Sequence, residues 1–395
     1  MSPHPRRPFP WGRSVSPARL MGKAMLLRRM PLFALIGLLA AATLSHGATP
    51  MPTRVVLENV DRYRVPEPLF EGVRVILACR GETYSAAYIQ GISGAAFRMG
   101  GPCPCAPTCE YAMGTDNLVR LLGYECERAG LGGPESDPKA QLPALLARIK
   151  GEVRAGRPAL VWNAFTTAEF DVVCGFDEEK HELIGRGSYK GMDGYAAAPD
   201  TRPAENDVAP AIGAIFIGDK TGTFDARSAE VAALREAVLH AHGASASIFP
   251  GMPTGLACYD SWIASYQNRG SLIRAKTRDG KDDLGWVAAQ SGDDFYPLTI
   301  WPSTRQAAAA FLCELAPKYP DAAAHLDAAA GHFERESKAL AACRDALGDR
   351  SKEPTPDQCI TAAAHLRDAR ACYSLGIAEI ARALHAIEPV KWEIQ

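Results

Sequence analysis

The spacing of apolar residues changes near residue 224 and divides the chain into two parts. Before that point, short apolar runs that are typical of strands alternate with helical and Gly- or Pro-rich segments. After it, apolar residues recur three and four positions apart, as they do in helices. We therefore predict an α/β unit from about residue 55 to about 220 and a helical unit from about 224 to 395.

Within the first part, helical patterns come before the clearest strands. The pattern predicts helices at 67–79, 115–122 and 141–155. It predicts strands at 159–163, 170–176, 182–185 and 211–217, with a charged turn at 177–180. A helical lobe followed by an antiparallel sheet, an α+β fold, is the expected arrangement.

In the second part, the apolar spacing predicts helices at 225–242, 254–267, 304–316, 321–347 and 356–387. Asp225 is a suitable N-cap for the first of these helices. Thr355, Pro356 and Gln358 have the spacing of a capping box with proline at the first helical position. Residues 270–300 are polar and rich in Gly and Asp, so we predict an inserted loop there.

The chain opens with the pattern of an export signal. Arg28 and Arg29 precede an apolar run over 32–44, and small residues follow it, so we expect cleavage after Gly47 or Ala48. The run is too short to span a bilayer comfortably. Residues 1–48 are therefore predicted to be a signal peptide, and the mature protein is expected outside the cytoplasm with no membrane anchor. Translation from a downstream methionine would account for the Pro-rich stretch ahead of the basic pair.

Composition indicates which classes of partner the chain is suited to and whether its cysteines form disulfides. The chain is 47% hydrophobic and 22% charged with a net charge of −2, so it has no basic surplus for nucleic acid or an anionic membrane. Eleven cysteines in an exported protein favour disulfides, and the odd number leaves at least one unpaired.

Four of these cysteines allow three interpretations. Cys103, Cys105 and Cys109 stand close together in a Pro-rich segment, and Cys126 follows. Disulfides among the four are favoured in an oxidising compartment. A reactive thiol at Cys103 or Cys105 is the next interpretation. A metal site is disfavoured because the spacing differs from usual zinc patterns, so we predict no metal and no cofactor.

Three segments in a fixed order resemble a known group of proteins. They are Gly91-Ile-Ser-Gly-Ala-Ala-Phe-Arg98, Gly156-Arg-Pro-Ala-Leu-Val-Trp162 and Val172-Val-Cys-Gly-Phe-Asp177. Over about residues 60–220 the chain resembles bacterial proteins whose N-terminal domain is similar to that of the butirosin-biosynthesis acyltransferase. The resemblance implies a papain-like fold, distantly similar to double-glycine peptidases, with a helical tail that includes 255–263.

Such a fold implies a cysteine at the start of its first helix, a histidine on a strand, and an orienting Asp or Asn. This sequence departs from that pattern at each place. Residues 65–72 contain no cysteine, and Cys79 comes about two turns too late. Where the histidine is expected the chain has Glu169, Phe170 and Asp171, and 185–188 lacks the orienting residue.

Two functions therefore stay open. The first is a non-catalytic papain-like domain that binds a peptide or small molecule; the second is a thiol-dependent acyltransferase, amidase or peptidase with an unusually placed cysteine. Cys103 and Glu169 are the catalytic candidates. Aromatic and polar residues near the expected cleft are typical of a ligand groove, and the candidates are Arg98, Trp162, Arg186, Tyr189, Asp260 and Trp262.

One disulfide is predicted from helix geometry. Cys343 lies near the end of one predicted helix and Cys359 in the first turn of the next. Antiparallel helices joined by a short connection bring such positions together, so we expect these two cysteines to be bonded.

Overall fold

The computed structural model describes residues 52–100, 113–132, 137–188, 193–205, 211–245, 253–267, 272–276, 282–288, 297–349, 352 and 354–389. The predicted signal peptide, Cys103, Cys105, Cys109 and Tyr189 lie outside these residues.

Helices account for most of the described residues. They are α1 (Phe70–Ala78), α2 (Ala86–Ile92), α3 (Thr115–Leu121), α4 (Pro138–Arg154), α5 (Ala226–Ala241), α6 (Gly255–Gln267), α7 (Pro297–Leu315), α8 (Ala323–Leu347) and α9 (Pro356–Ile387). The predicted caps are confirmed. Asp225 accepts a hydrogen bond from the backbone N–H of Ser228, and Thr355 and Gln358 form the capping box of α9.

The strands are β1 (Arg54–Val56), β2 (Tyr124–Gly130), β3 (Ala159–Trp162), β4 (Phe170–Asp177), β5 (Glu182–Arg186), β6 (Ala196–Pro199), β7 (Gly213–Lys220), β8 (Leu272–Lys276) and β9 (Asp282–Ala288). The first seven form one antiparallel sheet in the order β2-β7-β3-β4-β5-β6, and β1 pairs with the far end of β4. β8 and β9 form a separate hairpin within the segment predicted as a loop, and α7 begins at Pro297, earlier than predicted.

Side chains from the two faces of the sheet enter two different apolar clusters. Along β3, Leu160 and Trp162 join a large cluster that includes α1, α2 and the C-terminal helices. Ala159 and Val161 point the other way and pack with Ile149 and other residues of α4. This alternation is the period of two expected of a strand buried on both faces. The fold is thus mixed α and β, with a seven-stranded antiparallel sheet and a helical C-terminal region.

The larger cluster joins the sheet to the C-terminal helices. Fully buried Arg305 of α7 donates hydrogen bonds to the carbonyl oxygens of Ala96 and Arg98, and its Nε donates to Glu336 at 2.6 Å. The hydroxyl of Tyr373 donates to the carbonyl oxygen of Phe97 at 3.0 Å. The chain from Thr53 to Gln395 forms one compact unit, and the predicted boundary near residue 220 lies within it, between β7 and α5.

None of the helices formed by the described residues is long and apolar enough to cross a membrane.

Candidate functional site

The N-terminus of α1 is held by a buried carboxylate. Glu67 follows Pro66 and precedes Pro68, and its carboxylate accepts hydrogen bonds from the backbone N–H groups of Leu69, Phe70 and Glu71 at 2.8–3.1 Å. These N–H groups have no partner inside the helix, and the helix dipole favours a negative charge at this end. Glu67 is fully buried, so one side chain both starts the helix and places a carboxylate in the interior.

Gln90 on α2 approaches the same carboxylate. Its amide Nε2 donates to Oε2 of Glu67 at 3.0 Å, which orients the amide. Gln90 is fully buried, and its Oε1 makes no hydrogen bond within the described part of the chain. An acceptor atom is therefore left beside Glu67 with its hydrogen-bonding capacity unused.

The start of β4 brings a second carboxyl group to this place. Glu169 is only 3% exposed. Burial raises the pKa of Glu169 well above its usual range, and the charges of Glu67 and Asp171 raise it further. Like charges that share a buried site disfavour one another's ionised forms, so the neutral form of Glu169 is favoured here. The start of β4 thus brings the carboxyl of Glu169 near that of Glu67, which accepts hydrogen bonds from a helix N-terminus.

Asp171, also on β4, fixes the loop that leads into this strand. Its Oδ2 accepts hydrogen bonds from the backbone N–H groups of Phe165 and Thr166, both at 2.7 Å, and its Oδ1 accepts one from Ser188 at 2.8 Å. Burial raises the pKa of Asp171 to about 6. The hydrogen bonds from these N–H groups act in the opposite direction, but burial has the larger effect. The hydroxyl oxygen of Ser188 is buried and makes no hydrogen bond among the described residues.

The loop between β3 and β4 carries two residues in the left-handed region. Asn163 and Ala168 both have φ of 59°. Asn163 is suited to this conformation and its Oδ1 accepts a hydrogen bond from the N–H of Ala168 at 3.1 Å. For alanine the conformation is strained by roughly 1–2 kcal/mol. Backbone strain of this kind is concentrated at functional sites, and here it lies next to Glu169.

Tyr63 joins the two elements that carry the carboxyl pair. Its hydroxyl lies 3.2 Å from the carbonyl oxygens of both Pro68, before α1, and Phe170 on β4. Burial raises the pKa of this phenol well above its usual range, and the nearby carboxyl groups, led by Asp171 and Glu67, add to the effect. Tyr63 therefore stays a neutral donor and holds the start of α1 against β4.

Two of the predicted residues lie at this site. Glu169 belongs to the carboxyl pair, and Trp162 packs edge-to-face on Phe170 with ring centroids 5.2 Å apart. Arg186 lies further along the sheet, where it donates to the carbonyl oxygen of Val60 and stacks over Tyr195 at 4.0 Å. Its contacts anchor the chain ahead of α1.

The other described candidates lie among the C-terminal helices and their contacts. Arg98 is buried and pairs with Glu236 at 3.2 Å. Trp262 is fully buried against Trp301 with ring centroids 5.1 Å apart. Asp260 is exposed and accepts hydrogen bonds from Arg370 on α9. The contacts of Arg98, Asp260 and Trp262 are therefore with helical partners rather than with the carboxyl pair.

Glu67 is not among the residues that the sequence predicts for the site. The sequence pattern that could have identified it is an acidic residue between two prolines just ahead of a helix.

The described cysteines with a shifted pKa are poor nucleophiles, although Cys79 and Cys313 are exposed. Burial raises the pKa of Cys126 to about 11 and that of Cys174 to about 12, and it also raises the pKa of Cys79, Cys313, Cys343 and Cys372. A raised pKa lowers the fraction of reactive thiolate. Cys103, the candidate nucleophile of the alternative thiol-enzyme function, lies outside the described residues.

The cysteine pairing predicted at the α8–α9 turn is not formed in the structure. Cys343 and Cys359 are both buried at the expected helix ends, but no disulfide joins them or any other described cysteines. Among the described residues there is also no group of three or more His, Cys, Asp or Glu arranged to hold a metal ion.

Comparison with known proteins gives no relative for this site. No model of a known protein family matches the sequence, and no curated protein matches it.

Proposed function

We propose that this chain is an exported protein of papain-like fold that binds a peptide or small molecule without thiol chemistry. The export part of the proposal rests on the basic pair and apolar run over 28–44. The papain-like part rests on the sequence resemblance and is compatible with a helix, α1, whose N-terminus packs at the start of a strand, β4, in an antiparallel sheet.

The observation that carries the proposal is the identity of the two residues at the helix start and the strand start. In a papain-like enzyme these places hold the nucleophilic thiol and the imidazole that activates it. Here they hold Glu67 and Glu169. A thiolate and an imidazolium form an ion pair that attacks acyl carbonyls, whereas a neutral carboxyl beside a carboxylate cannot form a thioester.

Glu67 is also poorly suited to act as a nucleophile in its own right. Three backbone N–H groups and the Gln90 amide stabilise its carboxylate and occupy its lone pairs. Attack on a carbonyl would require these bonds to be given up. The arrangement favours holding a ligand over turning it over.

The alternative is a thiol-dependent enzyme that uses Cys103. Brief iodoacetamide labelling of the folded protein at pH 6.5, read by mass spectrometry, separates the two. We expect slow labelling at every cysteine and no turnover of acyl esters or peptide amides. One cysteine that labels rapidly at this pH, with loss of an ester- or amide-cleaving activity, would establish the alternative and overturn the proposal.

Binding itself is tested by a thermal-shift screen of peptides and small polar metabolites. Ligands should raise the unfolding midpoint of the wild type and of Cys103→Ser equally. The variant Glu169→Gln should respond less. Asp225→Asn, which changes a helix-capping carboxylate at the exposed start of α5, serves as the matched control. Ligands that stabilise the wild type and the three variants equally would not bind at this site.

A further inference from the structure

Two cysteines lie on neighbouring elements, one at the end of α1 and one on β4. Cys79 directly follows the last residue of α1 and is exposed, whereas Cys174 on β4 is fully buried. We propose that these two cysteines are a redox pair, which a small-molecule disulfide converts from two thiols into one disulfide bond. In the structure both cysteines are free thiols. The pair is a second site on the protein and does not depend on the proposed ligand-binding function.

α1 and β4 start at the same place and run in the same direction. One tyrosine hydroxyl lies 3.2 Å from the carbonyl oxygens of both Pro68, just ahead of α1, and Phe170, at the start of β4. Farther along α1, Gly72 packs so closely on the side chain of Leu160 that a Cβ would collide with it. Leu160 pairs with Val172, two residues after Phe170. α1 therefore follows β4 from its first residue.

The positions of Cys79 and Cys174 continue this alignment. Cys79 comes seven residues after Gly72, which is about two helical turns, so both lie on the face of α1 that packs on the sheet. Cys174 comes two residues after Val172, and both belong to the large apolar cluster that includes α1. The advance is about 10 Å along the helix and about 7 Å along the strand. The two cysteines are therefore neighbours across the junction of α1 and β4.

Arg80 places the end of α1 at the same level of the sheet. Its guanidinium donates a hydrogen bond to the carbonyl oxygen of Ile217 on β7. β7 and β4 both pair antiparallel with β3, where a single residue opposes both Ile215 and Val172. Because β7 and β4 run in the same direction, Ile217 is level with Cys174. The residue next to Arg80 is Cys79.

The charges around the two thiols agree with this placement. Burial and then the charge of Cys79 raise the pKa of Cys174 to about 12, and Arg186 acts in the opposite direction. Burial and the charge of Asp61 raise the pKa of Cys79, and Arg186 again opposes them. Both thiols thus lie near the same guanidinium. Since little thiolate forms at neutral pH, the pair reacts slowly until the pH approaches that of ordinary thiol chemistry.

Oxidation of the pair takes two exchange steps. The exposed Cys79 thiolate attacks one sulfur of a disulfide RSSR, the S–S bond of the reagent breaks, and one RS⁻ leaves and takes up a proton. The Cys174 thiolate then attacks Sγ of Cys79, which forms the intramolecular bond and releases the second RS⁻. In total two electrons and two protons pass from the protein to the reagent, which becomes two RSH. Cys79 gives up its weak hydrogen bond to the carbonyl oxygen of Val75, 3.4 Å away.

The test follows the pair by peptide mapping after exchange with glutathione. The folded full chain is equilibrated with reduced and oxidised glutathione at pH 8.5, close to the ordinary thiol pKa. Remaining thiols are blocked with N-ethylmaleimide, and trypsin then releases residues 75–80 and 155–180, each with a single cysteine. We expect these two peptides to be joined by a disulfide that is at least about tenfold more abundant than the glutathione adduct of Cys79, because a neighbouring thiol has a high effective concentration. Dithiothreitol should separate them again.

Variants assign the bond to this pair. Cys79→Ser should give no linked peptide at Cys174. Cys174→Ala should leave Cys79 as a glutathione adduct, because the thiol that completes the second step is missing. The matched control is Cys313→Ser, which removes an exposed cysteine of α7 and should leave the link between Cys79 and Cys174 unchanged.

Three results would overturn the proposal. The first is recovery of Cys79 in the wild type only as its glutathione adduct. The second is linkage of Cys79 or Cys174 mainly to another cysteine. The third is recovery of both as free thiols under conditions in which glutathione modifies Cys313. None of these results changes the response expected in the ligand screen, so the proposed function stands or falls separately.

Discussion

The protonated state of Glu169 has a direct effect on how stability depends on pH. Burial and the charges of Glu67 and Asp171 raise the pKa of Glu169 well above its usual range in the folded protein. In the unfolded chain the same carboxyl loses its proton near its ordinary pKa of 4.5. Between these two values the folded state holds one more proton than the unfolded state. The stabilisation from this proton is complete below the unfolded pKa and is lost as the pH rises towards the folded pKa.

The size of this pH effect on the free energy of unfolding follows from a difference of one bound proton. A difference of one bound proton makes the free energy of unfolding fall by about 1.4 kcal/mol for each pH unit. Glu169→Gln keeps the size of the side chain and removes the ionisable group. At pH values between the unfolded and folded pKa of Glu169, the free energy of unfolding of the variant should therefore rise relative to that of the wild type by about 1.4 kcal/mol for each pH unit. His240 is present in both proteins, so its effect cancels in the difference, whereas Asp171 interacts electrostatically with Glu169 and contributes to that difference.

The measurement is urea unfolding at half-unit steps from pH 5 to 8, followed by circular dichroism, with the free energy taken from linear extrapolation. Glu179→Gln makes the same chemical change at an exposed position in the β4–β5 turn and controls for the loss of a surface charge. Parallel curves for wild type and Glu169→Gln over this range would refute the assignment of a neutral carboxyl to Glu169.

Three further predictions concern packing, strain and oxidation. Ala168→Gly should raise the free energy of unfolding by about 0.5–1 kcal/mol, measured by the same urea assay, because glycine adopts its positive φ without strain. Gly91→Ala should lower the free energy of unfolding by about 1–3 kcal/mol, since the new Cβ would lie 2.2–2.4 Å from ring atoms of Phe311. In protein secreted into an oxidising medium, non-reducing peptide mapping should find Cys343 linked to Cys359, as the helix ends predict.

Each of these has its own control. Asn163→Gly should not stabilise, because the Asn163 side chain bonds the N–H of Ala168 and the carbonyl oxygen of Arg202. Gly151→Ala, in α4 with open space around it, should be neutral or slightly stabilising. A Cys343 peptide recovered alone, or linked to Cys372, would contradict the expected pairing at the α8–α9 turn.

Much of the secondary structure follows from local pattern alone. The helix of 32 residues at the C-terminal end begins and ends where the apolar spacing and the Thr355 cap place it. β2 was missed because it is an edge strand: Glu125, Glu127 and Arg128 are at least partly solvent-exposed and interrupt the apolar run that marks a buried strand. The hairpin of β8 and β9 was missed because its segment is polar and Gly-rich, which resembles a loop.

The candidate site could be predicted only in part. Glu169 was recognised because it stands at a strand start where a different residue was expected. Glu67 and Gln90 were not, since their meeting depends on how α1 and α2 pack against β4, and no local pattern encodes that contact. The unpartnered oxygen of Gln90 is likewise a property of tertiary packing.

The contacts of Arg305 and Tyr373 limit how this protein can change by recombination. Their side chains donate to the carbonyl oxygens of three consecutive residues, Ala96, Phe97 and Arg98. A gene fusion that exchanged the C-terminal helices for those of an unrelated protein would leave these carbonyls buried without donors, each a loss of about 1–3 kcal/mol. The gene segments for residues 96–98 and for the C-terminal helices are thus expected to be inherited together, and natural chimaeras should preserve both the donors and the 96–98 segment that accepts from them.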